Sequence, residues 1–299
     1  MRGFSLTMGY SSTDVPDLTG QRVIITGANS GLGLETARVL ADHGAALTLA
    51  VRNAGKGEAA AAEVGHGCEV ASLDLASLDS IRAFAADWGE EPIDLLINNA
   101  GVMYTPLTRT GDGFELQIGT NHLGHFALSN LLLPHVRGRV VTVASNAHKL
   151  GKIDLADLNW ERRSYNFIAA YNQSKLANLL FTSELARRLS AVGSPVIATA
   201  AHPGYAATNL TAHSGSPIKG ALMAIGDRVL AQSARQGALP TVYAAVEPLA
   251  SNTYVGPNGL GEWRGTPTIV GPSKAAKDEV VAAALWSLSE ELTGVSWPL

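Results

Sequence analysis

The chain predicts an α/β fold: a single doubly wound parallel sheet with helices on both faces. Three observations carry this. From Arg22 onward, short apolar runs rich in β-branched residues alternate with Ala-rich stretches of helical periodicity. Those runs are nearly all apolar, as in strands covered on both faces. A glycine cluster joins the first run to the first helical stretch, the junction that a parallel βα unit needs. Right-handed crossovers then wind the sheet outward in both directions.

The first strand spans 23–26. It runs into Gly27-Ala28-Asn29-Ser30-Gly31-Leu32-Gly33 and a helix over 31–43. Glycines at such a junction let the backbone approach a pyrophosphate, and the helix's free N–H groups and partial positive charge face it. Gly27, Asn29, Ser30, Gly31, Leu32 and Gly33 are therefore candidate dinucleotide contacts, in the spacing G-x-x-x-G-x-G. The second strand, 46–51, precedes a helix over 54–64. The third, 68–72, precedes a helix over 77–88. Strand four is 93–98, followed by a long helix over 113–136; strand five is 139–144, followed by a helix over 168–190; strand six is 195–200. An amphipathic helix over 275–292 closes the chain. Residues 204–233, with glycines at 204, 215, 220 and 226, form a long irregular region on the ligand side and are a candidate substrate lid. Residues 1–16, rich in Ser, Thr and Gly, are expected to form a flexible arm. With no repeat or linker-like stretch, 17–299 reads as one domain.

Composition excludes several classes. Among 299 residues, 46% hydrophobic and 16% charged describe a globular chain with ample core material. A net charge of −4 without a basic stripe gives no reason to expect nucleic acid. No apolar run approaches the roughly 18–20 residues of a membrane span. The lone Cys68 excludes an internal disulfide framework and, with no signal peptide in sight, points to a cytoplasmic protein. His122 and His125 lie three apart with no further ligand to pair with, so no metal site is expected. No G-x-S-x-G elbow surrounds Ser145, which argues against a serine hydrolase.

The end of the second strand is where an acidic residue usually holds the ribose 2′-hydroxyl of a dinucleotide. Here Leu47-Thr48-Leu49-Ala50-Val51-Arg52-Asn53 carries no carboxylate, and Arg52 stands where a guanidinium would grip a 2′-phosphate. That favours NADP(H) over NAD(H), although a solvated arginine at a strand end would read the same way. Asp74-Leu75, after the third strand, is placed to meet the adenine edge. Three further features lie past strand ends, where open parallel sheets bind ligands: Asn98-Asn99-Ala100-Gly101, Thr142-Val143-Ala144-Ser145, and a helix bearing Tyr171 and Lys175, four apart and so neighbours on one face.

With these pieces the chain resembles the short-chain dehydrogenase/reductase family. The matching motifs are Thr26-Gly27-x-x-x-Gly31-x-Gly33, Asn98-Asn99-Ala100-Gly101, Asn121, Ser145, Tyr171-x-x-x-Lys175 and Pro203-Gly204 with Thr208, in family order across about 20–210. The stretch from Ala170 to Phe181 and the 26-position gap between Ser145 and Tyr171 (171 − 145) are similar to the retinol-dehydrogenase-like branch. The resemblance implies a Rossmann-type fold and an NADP(H)-dependent oxidoreductase interconverting an alcohol with an aldehyde or ketone. It implies that Tyr171 is the general acid/base, that Lys175 primes it and holds the nicotinamide ribose, and that Ser145 stabilises the substrate oxygen. Asn121 would orient Lys175 through water; Asn99, Ala100 and Gly101 would border the cofactor; Pro203, Gly204 and Thr208 would fix the nicotinamide. A tyrosine with a pKa near 10 needs about 4 kcal/mol to ionise at neutrality. An ammonium about 4 Å away at an effective dielectric near 20 supplies roughly that.

The pocket is expected to be walled by Met103-Tyr104, 148–150, Tyr205 and the lid, and its apolar lining to suit a small hydrophobic carbonyl compound. The helices over 113–136 and 168–190 commonly build homodimer or homotetramer interfaces in the family. Two other readings compete: a catalytically idle NADP(H)-binding sensor, and a nucleotide-sugar epimerase or dehydratase. An epimerase usually spaces its glycines as G-x-x-G-x-x-G, and a sensor need not keep the four catalytic groups.

Overall fold

The computed structural model describes residues 9–205 and 232–299. Thr208, most of the candidate lid and residues 1–8 of the arm lie outside the described residues. Among these, the sheet has eight strands: β1 (Arg22–Thr26), β2 (Ala46–Val51), β3 (Glu69–Ser72), β4 (Ile93–Asn98), β5 (Val136–Val143), β6 (Ile197–Ala201), β7 (Thr253–Pro257) and β8 (Pro267–Ile269). Their order is β3-β2-β1-β4-β5-β6-β7-β8. Every pair is parallel except the last, β7 with β8. Strand order reverses between β1 and β4, and a ligand crevice opens at such a switch.

The helices are α1 (Gly31–Ala41), α2 (Ala54–Val64), α3 (Leu78–Trp88), α4 (Leu116–Ile118), α5 (Gly124–Leu132), α6 (Phe167–Ala191), α7 (Ala234–Val246) and α8 (Glu279–Thr293). Apolar strands are buried on both faces as their composition requires. Val23 and Ile25 join the core under α1, α2 and α7, whereas Ile24 joins the core under α3, α5 and α6. In β4 a register shift between Ile93 and Leu95 interrupts this alternation, so Ile93 and Leu96 share one core while Leu95 and Ile97 share the other.

The helix expected over 113–136 is broken. The Glu115 carboxylate caps α4 at both Gln117 N and Ile118 N, 2.9 Å each, so helix starts only there. A π-helical turn over Gly119–Leu123 separates α4 from α5. Pro134 then closes the run, and β5 begins at Val136, three residues earlier than expected, paired with Ile93. Strands β7 and β8 and helix α7 were not anticipated. Residues 9–16, part of the expected arm, are docked: Ser11 and Asp14 form a capping box, Val15 is buried, and Tyr10 stands edge-on to Tyr243 of α7 at 4.8 Å.

Helix α6 is buried on every side from Tyr171 to Thr182, so one flank packs on the sheet and another is roofed by the chain itself. The roof is α8. Its Trp286 stacks on Phe181 at 5.7 Å and meets Phe126 of α5 edge-on at 4.9 Å, and Arg188 lies 4.5 Å over the same ring.

Candidate active site

The glycine loop is built for close approach. Gly27 has φ +67, and a Cβ there would fall 2.8 Å from Ala100 Cβ; a Cβ on Gly33 would fall 2.5 Å from Asn99 Nδ2. Ser30 heads α1 without a side-chain cap bond, and no acidic residue occupies the first turn. The leading N–H groups of α1 thus face outward with no carboxylate to compete, a cradle that fits a pyrophosphate.

Thr26 organises the floor. Its hydroxyl accepts from Asn99 N and Ala100 N, both 2.9 Å, and Asn99 Nδ2 donates to Thr26 O at 2.8 Å. The same hydroxyl meets His125 Nε2 at 2.9 Å, while His125 Nδ1 meets the Asn121 carbonyl at 3.1 Å. A carbonyl can only accept, so Nδ1 carries the proton and Nε2 accepts from Thr26. Burial pushes the His125 pKa down to about 4, which keeps this ring neutral. His122, also fully buried, is pushed down to about 3 by burial and bonds Ser289 Oγ at 2.9 Å.

The Asn121 side chain receives Val102 N at 2.8 Å and donates to Val102 O and Ser174 Oγ, 2.9 Å each. Its amide is committed to these groups. Lys175 Nζ donates to Val143 O at 3.0 Å, beside Asn178 Nδ2 on the same carbonyl at 3.1 Å.

Ser145 follows β5 and caps the turn over Asn146–Leu150 through Ala147 N at 3.2 Å. His148, expected at the pocket wall, lies fully buried behind it: Nδ1 donates to Ser145 O at 2.7 Å and Nε2 accepts from Ser273 N at 3.1 Å. Tyr171 is edge-on to Tyr104 at 5.3 Å.

Burial dominates the electrostatics of the two groups. Burial raises the Tyr171 phenol to about 12; a hydrogen bond from Ser145 offsets part of this, and Tyr104 adds to it. Lys175 Nζ sits 5.9 Å from the Tyr171 ring centre and is itself pushed down to about 8 by burial. Spacing in sequence brings the two side chains together, and desolvation is the largest cause of each shift.

A cavity of about 420 Å³ joins these groups. It is lined by Leu32, Asn99, Gly101, Ser145, Tyr171, Lys175, Pro203 and Gly204, together with Met103, Tyr104, Leu150 and Tyr205 of the expected walls. Gly204, at φ +68, lets Trp263 O approach: a Cβ there would lie 2.4 Å from it. Trp263 also lines the cavity and was missed from sequence. Arg52 is exposed beyond β2, apart from the cavity. Asp74 is half-buried and caps a turn at Ala76 N, 2.9 Å. Leu75 is core, and its carbonyl would lie 2.3 Å from a Cβ on Gly124. No cluster able to hold a metal ion occurs among the described residues.

The family described as short chain dehydrogenase matches residues 21–219. The chain belongs to that family. This short chain dehydrogenase is 45% identical to retinol dehydrogenase 13 of Homo sapiens over 296 residues, 94% of this chain and 87% of the relative. It is 41% identical to human retinol dehydrogenase 12 over 307 residues, 97% of this chain and 91% of the relative. A crystal structure of an uncharacterized protein from Mycobacterium paratuberculosis is 51% identical, with a TM-score of 0.86, and covers 98% of this chain and 100% of its own. The RhlG/NADP active-site complex of Pseudomonas aeruginosa shares the fold, with 24% identity and a TM-score of 0.63, over 80% of this chain and 94% of that one. Among the described residues, no helix of this dehydrogenase is long and apolar enough to cross a membrane.

Proposed function

We propose that this dehydrogenase interconverts an apolar alcohol and its aldehyde or ketone with NADP(H). The observation that carries the reading is convergence. The Ser145 hydroxyl, the Tyr171 phenol and the Lys175 ammonium line one cavity, between the glycine cradle and a mouth of large apolar side chains. Relatives named as retinol dehydrogenases support an apolar alcohol as the class of substrate.

A bound nicotinamide dinucleotide supplies or takes the hydride at the substrate carbon. In reduction, Ser145 and Tyr171 bind the carbonyl oxygen, and the phenolic proton moves from Tyr171 to that oxygen as charge develops. A phenol held near 12 is neutral across the physiological range, so it is already in the donor form. In the reverse direction it must first lose that proton, at a cost of about 7 kcal/mol at neutrality. Lys175, fixed by Val143 O near Gly101, is placed to hold the ribose hydroxyls.

Loss of NADPH absorbance with a panel of aldehydes and ketones, retinaldehyde among them, tests the reading. Turnover supports it; failure to bind any nicotinamide nucleotide overturns it, and binding without turnover would favour an idle sensor. Arg52 supplies a separate test of cofactor choice. Arg52→Asp is expected to weaken NADPH by about 10–100-fold, the value of hydrogen bonds to a charged group. NADH binding should hold or improve in a fluorescence titration. Equal losses for both nucleotides would remove Arg52 from the 2′-phosphate site.

A further inference from the structure

The tip of the β7–β8 hairpin, residues 258–266, reaches back across the cavity and is fastened to both sides of it. On the β5 side, Asn146 Nδ2 donates to Gly261 O at 3.2 Å and Glu262 O at 3.3 Å, and Lys149 Nζ pairs with Glu262 Oε1 at 3.1 Å. On the β6 side, His202 Nδ1 accepts from Gly204 N at 3.2 Å, so its proton is on Nε2 and is donated to Glu262 Oε2 at 3.0 Å. Tyr205 N donates to Trp263 O at 2.7 Å. Each carboxylate oxygen of Glu262 thus holds a different wall. The backbone is bent to allow it: Gly261 and Glu262 both lie in the left-handed region, at φ +63 and +58. For a glutamate that conformation persists only where its surroundings impose it.

The strap places Trp263 over the mouth of the cavity, with Leu150, Ile168 and Tyr205 around the opening. These four side chains are exposed at 53%, 78%, 45% and 41%, a rim that offers apolar contact at the opening. We propose that the strap determines specificity: Trp263 is the wall that grips the distal part of a long apolar substrate, and Glu262 is the residue that positions it. On this proposal a short carbonyl compound bound at Tyr171 makes no contact with Trp263. The inference rests on the proposed carbonyl reaction for its kinetic readout, but its binding readout stands without the cofactor.

The test compares wild type with Trp263→Ala, Trp263→Phe and Glu262→Gln, using NADPH with propanal and with dodecanal. Trp263→Ala is expected to lose about tenfold or more in kcat/KM on dodecanal, the scale of lost apolar burial. The loss should fall in KM, with kcat and propanal kinetics kept within about twofold. Trp263→Phe restores most of the loss. Glu262→Gln keeps a donor–acceptor group for His202 but not the charge for Lys149, and gives an intermediate loss confined to dodecanal. Calorimetric binding of 1-dodecanol to the protein without nucleotide should weaken by the same factor in Trp263→Ala. Equal losses on both aldehydes, or unchanged dodecanol binding in Trp263→Ala, overturn the proposal. A wild type that binds dodecanol through Trp263 yet oxidises no NADPH would overturn the reaction and leave the strap standing.

Discussion

Tyr171→Phe is expected to lower turnover by about 10²–10⁴-fold, the usual contribution of a positioned general acid. NADPH affinity and the melting temperature should change little. In the proposed reaction the phenol gives a proton at the substrate oxygen, and its partner there, Ser145, is a hydroxyl with a far higher pKa. Phenylalanine keeps the ring that packs edge-on against Tyr104 and removes only the oxygen. The loss is therefore chemical rather than structural. Single-turnover kinetics with a nucleotide titration separates the two: kcat falls and the dissociation constant holds. Turnover unchanged in this variant would take Tyr171 out of the chemistry.

The second large effect concerns acid. His122, His125 and His202 are buried, and burial holds their pKa values at about 3, about 4 and about 4. Each folded value lies below the unfolded value of 6.5, so the unfolded chain binds more protons between them. Stability is fully present above pH 6.5 and is lost as pH falls from there toward 4. Each histidine contributes about 3 kcal/mol over that window, at roughly 1.4 kcal/mol per pKa unit. Together they rival the whole stability of an ordinary domain, about 5–15 kcal/mol. Urea unfolding at pH 7, 5.5 and 4.5 should show a steep decline. His122→Asn, which retains a hydrogen-bonding group opposite Ser289, should flatten its acid end. A midpoint that holds steady down to pH 4.5 would contradict the neutral, buried state of these rings.

The first six strands were legible because most are largely apolar runs, and burial on both faces leaves little else that such a run can do; β3, Glu69–Ser72, is the exception and lies at the sheet edge. β7 escaped because Thr253-Tyr254-Val255-Gly256-Pro257 ends in two residues that ordinarily break strands. The glycine is there for contact: a Cβ at 256 would fall 2.0 Å from His202 Nε2. Helix α7 carries Pro240 in its interior, which obscures its helical signal in the sequence. The π turn before α5 has no periodic signature of its own, so the Asn121 region looked like continuous helix. At the site, residues at strand ends were visible from their position. The hydroxyl of Thr26 as the tie between two loops was not, since its partners Asn99 and Ala100 are more than seventy residues away. The balance between Tyr171 and Lys175 was also hidden, because spacing sets proximity and only the fold sets desolvation.

The roof over α6 bears on how copies of the chain meet. The resemblance implies an interface between copies on the helices after strands four and five, and here Trp286 packs against Phe126 and Phe181 on that face. A second molecule would have to peel away fifteen residues of helix before reaching that seam. Light scattering should accordingly return the mass of one chain, and a doubled mass would have to come from another side of the molecule. In effect the C-terminal helix shields the seam between these two helices from within the chain itself.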